Sequence, residues 1–410
     1  MTYKTAIKYL KTLPRHRSSD HSPEIIDRIR SICDELKVKR IKVAHICGET
    51  GMLECVEMLS CIMDRASYKL GYFDIDISDH PENAILINRK SISVFDFADI
   101  IKTVSSAYRS KYPDITPYFD EVMSIATAYY FSLSDCDLIL IKKPLDKINT
   151  PIALTSSLIT VITPIISISS ENINVDSLIK KGVLEIVSSP QHKSVHSLLS
   201  DACALSGCRF TMPIYSETSI AKFSLFKTSF EYMGKEFSVR SFSPDQIINA
   251  ITAIEAARAI ARIGLKINDE NIEKGILDAR FIGKCEVISI DPNIMVACAE
   301  SDNEIDSLIS SLAQIKDQLG DELTVYTNVA GGTDENFLSS KLSLYKMPNY
   351  SIIKIHYEYA TRREFDKQLE EILTLRTSSE KLRSGSAIFI GSRQFTDRAR
   401  IIITHFFGNR

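Results

Sequence analysis

The chain has no Cys-x-x-Cys pair. Its nine cysteines (Cys33, Cys47, Cys55, Cys61, Cys136, Cys203, Cys208, Cys285 and Cys298) are scattered, and its eight histidines are equally dispersed. Structural zinc is held by clustered pairs, and a secreted disulfide scaffold would be shorter and denser in cysteine. The plain reading is free thiols in a reducing cytoplasm. There is no basic block either. With 49 basic against 52 acidic residues the net charge is −3, which argues against nucleic acid and against an anionic membrane surface as partner. Thr150–Ser169 comes nearest to a membrane span, but Pro151, Pro164 and its many hydroxyl residues make it a buried parallel strand with a turn. The start is an amphipathic helix by the spacing of Tyr3, Ala6, Ile7, Leu10 and Leu13, and not a signal peptide. No internal repeat, low-complexity tract, Ser-His-Asp set or Cys-His pair can be argued from spacing.

What is present is an ordinary globular composition, 44% apolar and 25% charged over 410 residues. That length is too great for one core, so two or three domains are expected. Apolar β-rich runs at 41–46, 84–88, 137–141, 159–168, 183–187, 210–213 and 223–227 alternate with helix-period runs at 23–36, 52–64, 94–110, 118–131, 193–206 and 244–263. Alternation of this kind predicts an α/β fold with a mainly parallel, doubly wound sheet. A short helix follows at 271–280. A smaller α/β unit then reads strand 294–299, helix 303–318, strands 322–328 and 351–356, helix 362–374, and strands 386–390 and 400–404. Asp291-Pro292 marks the expected boundary, giving domains 1–290 and 291–410.

The most informative segment is residues 41–54. An apolar run, Ile41 to Ile46, enters a glycine turn, Gly48 and Gly51, that opens the helical pattern Met52, Val56, Leu59, Ile62 and Met63. Strand, glycine turn, helix is the layout that cradles a nucleotide triphosphate. The chemistry also needs a lysine just after the second glycine and a Ser or Thr two residues later for Mg²⁺. Those places hold Met52 and Glu54, and Glu49, Glu54 and Glu57 put negative charge where a polyanion would sit. Gly48 and Gly51 can be read as phosphate-binding backbone or as a tight turn, and the charges favour the turn.

From end to end the chain resembles folylpolyglutamate synthase, of the Mur ligase family. The family's HVAGTNGKGS falls on His45–Glu54, and its Gly-x-Phe segment on Gly71-Tyr72-Phe73. Its Glu-Arg-Ile-x-Ile-Asn falls near Asn83–Asn88, and its long glycine-rich Glu-Val-Gly segment is cut down to Asp137–Asn149. Its metal-binding His has become Ser169, and Lys180 stands where the family supplies a modified lysine. His-Gln-x-x-Asn-Ala is kept as Asp245-Gln246-Ile247-Ile248-Asn249-Ala250, Trp-Pro-Gly-Arg-x-Glu as Phe281-Ile282-Gly283-Lys284-Cys285-Glu286, and the closing Gly-Ser as Gly391-Ser392. The tail's Asp-Gly-Ala-His-Asn falls on Ala297–Ser301 with one alanine kept.

The resemblance implies a P-loop-like Mur ligase central domain followed by a smaller C-terminal Rossmann-like domain. In the family, ATP and Mg²⁺ activate a folate carboxylate for attack by glutamate. It also implies nucleotide contacts at Gly48, Gly51, Asn249 (or helix packing in its place) and Lys284, which lacks the planar fork of the family's arginine. With the lysine, the hydroxyl ligand and the metal-binding Glu and His replaced, no residue is assigned to catalysis or to metal. The expectation is a non-catalytic monomeric homologue that binds a folate-like molecule or a protein partner. The alternative is a divergent ATP-dependent ligase in which Lys142, Lys143 or Lys180 replaces the lost phosphate-binding groups.

Overall fold

The computed structural model describes residues 1–15, 23–74, 80–143, 157–166, 173, 178–179, 182–215, 218–328, 335–347, 349–358 and 361–408. The chain forms two compact units, Met1–Ile214 with Ile248–Ile276, and Tyr215–Ile247 with Leu277–Arg410.

Among the described residues the first unit's sheet has eight strands: β1 (Lys42–Cys47), β2 (Leu70–Asp74), β3 (Ile85–Ile87), β4 (Lys90–Ser91), β5 (Leu138–Lys142), β6 (Ile159–Ile162), β7 (Glu185–Ser188) and β8 (Arg209–Thr211). Their order is β4-β3-β2-β5-β1-β6-β7-β8. All neighbours from β2 to β8 pair in parallel, and β3 and β4 add an antiparallel edge. Every residue of β5, β6 and β7 is buried, the mark of central parallel strands, which show no polar alternation. The expected mainly parallel α/β fold is therefore the one observed. Its helices among the described residues are α1 (Tyr3–Thr12), α2 (Pro23–Glu35), α3 (Met52–Arg65), α4 (Val94–Lys111), α5 (Phe119–Leu133), α6 (Lys193–Ser206) and most of α7 (Pro244–Arg262) and α8 (Asp269–Asp278). Helix α1 forms as its apolar spacing predicts. Thr2 caps it, accepting from Thr5 N–H, and Ala6 and Leu10 are buried with Phe97 and Ile101 of α4. β2 was not among the predicted strands.

The second unit holds a three-stranded antiparallel sheet, β9 (Thr218–Lys222), β10 (Thr228–Tyr232) and β11 (Lys235–Val239), in the order β11-β10-β9. Its tight hairpin turns at Met233 and Gly234, both at positive φ. The predicted strand 223–227 is instead the connection from β9 to β10. Phe223 and Leu225 there are half-buried against the unit's core, which is what the apolar spacing had registered. The second sheet has β12 (Glu286–Ile290), β13 (Asn293–Cys298), β14 (Glu322–Thr327), β15 (Asn349–Lys354) and β16 (Ser386–Gly391), ordered β12-β13-β16-β14-β15. All its pairs are parallel except β12 with β13, which turn at Asp291-Pro292.

This unit's helices are α9 (Asp302–Ala313), α10 (Glu335–Leu344), α11 (Arg362–Ser378), α12 (Glu380–Ser384) and α13 (Arg393–Gly408). The predicted strand 400–404 lies within α13. Phe395, Ala399, Ile402 and Ile403 are buried and Ile401 is exposed, so helical spacing decides against the β-branched run. Among the described residues no helix is long and apolar enough to cross a membrane.

Candidate functional site

The glycine turn follows β1 at the carboxyl edge of the first unit's sheet. The chain leaves β1 toward β2 on one side, while β6 leads to β7 on the other. The strand order therefore reverses between β1 and β6, the place where open α/β sheets bind ligands. Gly48 has φ +146 and Gly51, the residue before α3, has φ +77. A β-carbon on Gly48 would lie 2.0 Å from Thr163 Oγ1, and one on Gly51 would lie 2.3 Å from Asn249 Oδ1. Each glycine is needed twice, once for its backbone angle and once for the side chain that leans on it.

The turn is tied to the segment after β6. Thr163 N–H donates to Cys47 O at 2.8 Å, and Glu49 N–H donates to Pro164 O at 3.1 Å. Thr50 N–H faces the same carbonyl at 3.5 Å. In return Ile166 N–H donates to Glu49 Oε2 at 3.0 Å. Gln191 braces the strap from below β7: its amide donates to Thr163 O at 3.0 Å and its carbonyl oxygen accepts from Ile165 N–H at 3.1 Å. Beneath α7, Cys55 Sγ donates to Asn249 O at 3.4 Å, and the hydroxyls of Ser189 and Thr252 meet at 2.7 Å.

Lys142 ends β5 beside the turn, and Lys143 follows it directly. Lys142 pairs with Asp74 at 3.0 Å, at the matching end of β2. Lys143 is 1% exposed, and its N–H donates to Ile46 O at 2.8 Å. Burial lowers the Lys143 ammonium from its ordinary value, with Cys47 opposing; burial raises the Cys47 thiol to about 11, with Lys143 opposing. The two side chains thus share one desolvated environment at the strand ends.

Of the residues singled out from sequence, Gly48, Gly51 and Asn249 come together in this turn. Lys284 belongs to the second unit, exposed in the turn before β12. There Gly283 N–H donates to Glu286 Oε2 at 3.0 Å, Arg400 holds the same carboxylate at 2.8 Å, and a β-carbon on Gly283 would meet nothing within 4 Å. Ser169 and Lys180 lie outside the described residues. Pro164 was expected only as a turn residue, and Gln191 was not anticipated; their role is a contact between distant strand ends, which local sequence does not mark. Among the described residues no three His, Cys, Asp or Glu side chains are grouped to hold a metal.

A triphosphate needs free N–H groups, a cation and no competing carboxylate at such a turn. Here Glu49 N–H is taken by Pro164, the Glu49 carboxylate occupies the strap, and Met52 is buried at the first helical position. The turn as folded does not fit a triphosphate.

No family model matches the chain, and no curated protein matches it. Solved structures do. Folylpolyglutamate synthetase from Lactobacillus casei matches with a TM-score of 0.72 at 16% identity, covering 100% of both chains. The enzyme from Thermotoga maritima matches at 0.70 and 18%, covering 98% of this chain and 96% of its own. The Mycobacterium tuberculosis enzyme, complexed with ADP and AMPPCP, matches at 0.68 and 13%, covering 98% and 99%. The fold is that of the folylpolyglutamate synthases.

Proposed function

We propose that the chain is a non-catalytic, folylpolyglutamate synthase-like protein that acts by binding a folate-like ligand or a protein partner. The observation that carries this reading is the Glu49 N–H donated to Pro164 O, with the Glu49 carboxylate accepting in turn from Ile166 N–H. On this reading the Glu49 N–H is committed to a protein carbonyl and is not open to a phosphate oxygen. Phosphoryl transfer is mainly positioning and charge neutralisation, and each preorganised group of that kind is worth about 3 kcal/mol in the transition state. Several are replaced together here. The reading also takes the protein as a cytoplasmic monomer, with neither nucleic acid nor membrane as partner.

Purified protein given ATP, Mg²⁺, a folate and glutamate should yield neither ADP nor elongated folate. A folate at about a hundred times its dissociation constant should raise stability by about 2.7 kcal/mol if it is the ligand. Silence in that assay points to the protein partner. The second reading, an ATP- and Mg²⁺-dependent ligase, is favoured by Lys143, buried beside Cys47 at the foot of the turn. Product formation that is lost in Lys143→Met would establish it and defeat the first reading.

Restoring the turn alone should not restore ligation. The triple change Met52→Lys, Leu53→Gly and Glu54→Ser places an ammonium at a buried helix start and a glycine inside α3. The expected result is no product and a loss of about 2–3 kcal/mol in stability. Turnover by the triple variant would show that the strap yields to nucleotide.

A further inference from the structure

We propose that Cys203 and Cys208 form a reversible disulfide that pins the carboxyl end of α6 to β8. The geometry comes from the way α6 stops. Gly207 takes the left-handed conformation at φ 69, and both its N–H and that of Cys208 point back to Cys203 O, the latter at 3.1 Å. A helix end closed in this way folds the second residue past the cap over the last turn, which brings the two side chains into contact. Cys203 is 1% exposed and sits in a core with Ile186, Val195 and Leu199, and Cys208 lies half-buried on the edge of the same core. Cys47 belongs to that core too, but its Sγ donates to Val161 O at 3.6 Å.

The oxidant is a small-molecule disulfide of the glutathione type. The Cys208 thiol, the more accessible of the pair, loses its proton and attacks one sulfur of the oxidant, expelling one thiolate and leaving a mixed disulfide. Cys203 then loses its proton and attacks Cys208 Sγ, expelling the second thiolate. Two S–H bonds become one S–S bond, and the oxidant is reduced to two thiols. Burial and the neighbouring Cys208 both push the Cys203 thiol up, so the second step should quicken as pH rises.

The test uses the full-length protein and glutathione disulfide, followed by acid quenching, denaturation, alkylation of remaining thiols and tryptic mapping. Cleavage after Lys193 and Arg209 puts both cysteines in one peptide, Ser194–Arg209. The expected product carries no alkyl group, is lighter than the reduced peptide by two hydrogens, and reverts with dithiothreitol. Free thiols in the denatured protein should fall from nine to seven. In Cys203→Ser, glutathione should stay on Cys208. The proposal falls if the wild-type peptide is alkylated at both positions, if it retains glutathione, or if the lost thiols map to Cys47 or elsewhere.

Discussion

Gly48→Ala should destabilise the first unit by about 3–5 kcal/mol, more than any change to the charged residues of the same turn. Two costs add. Alanine pays for φ +146, a backbone region that side chains rarely adopt, and its β-carbon would sit 2.0 Å from Thr163 Oγ1 and 2.9 Å from Thr163 O. Thr163 is fully buried and its carbonyl is held by Gln191, so it cannot simply turn aside. Relief would require the ends of β1 and β6 to part, breaking the Glu49–Pro164 bond. Urea denaturation should show a lower midpoint at unchanged slope. Adding Thr163→Ala removes the nearer clash but not the carbonyl, so it should recover only part of the loss. Glu54→Ala should be close to neutral, and Glu49→Ala should cost about 0.5–1 kcal/mol, because Ile166 is 70% exposed and water can replace the lost acceptor. A stable Gly48→Ala would mean that the turn is held differently from the geometry described.

Parts of this site were legible in the sequence because they are local. The apolar run into Gly48 and Gly51 and the helical pattern after Met52 specify a strand, a turn and a helix without reference to anything else. Asn249 was legible only through the resemblance. Its contact with Gly51 links positions almost two hundred residues apart. Pro164 was legible only as a turn and Gln191 not at all, since a carbonyl or an amide acts through where the fold places it. The two lysines at the end of β5, Lys142 and the residue after it, show the same limit. Sequence gives a cationic pair, but alternation along the strand sends one to Asp74 and buries the other beside Cys47.

The fold divides in the same way. Long buried strands such as β5 and β6 announce themselves by continuous apolar residues. β2 did not, because Leu70–Asp74 carries a glycine and ends in an aspartate, and its burial is granted by β5 alongside. In α13 the run Ile401-Ile402-Ile403 favours a strand locally, and the packing of Phe395, Ala399, Ile402 and Ile403 on one face overrides it.

The charge network under α5 should give the other large effect. Glu121 is fully buried, and the Arg28 guanidinium meets it at 2.8 Å. Arg28 Nε also donates to Tyr108 Oη at 2.8 Å, and Tyr118 N–H donates to Glu121 Oε2 at 2.8 Å. Burial, then Glu121, pushes the Tyr108 hydroxyl up, so it stays a donor to the carboxylate. These contacts join α2, α4 and α5. Arg28→Ala strands a buried carboxylate and should cost about 3–5 kcal/mol. Arg28→Met with Glu121→Leu removes both charges at similar volume and should cost less than the single change, giving a clear coupling in a double-mutant cycle. Urea denaturation of the single and double variants decides it. If Arg28→Ala is nearly silent, Tyr108 and the Tyr118 N–H suffice to hold Glu121, and the arginine is a surface decoration.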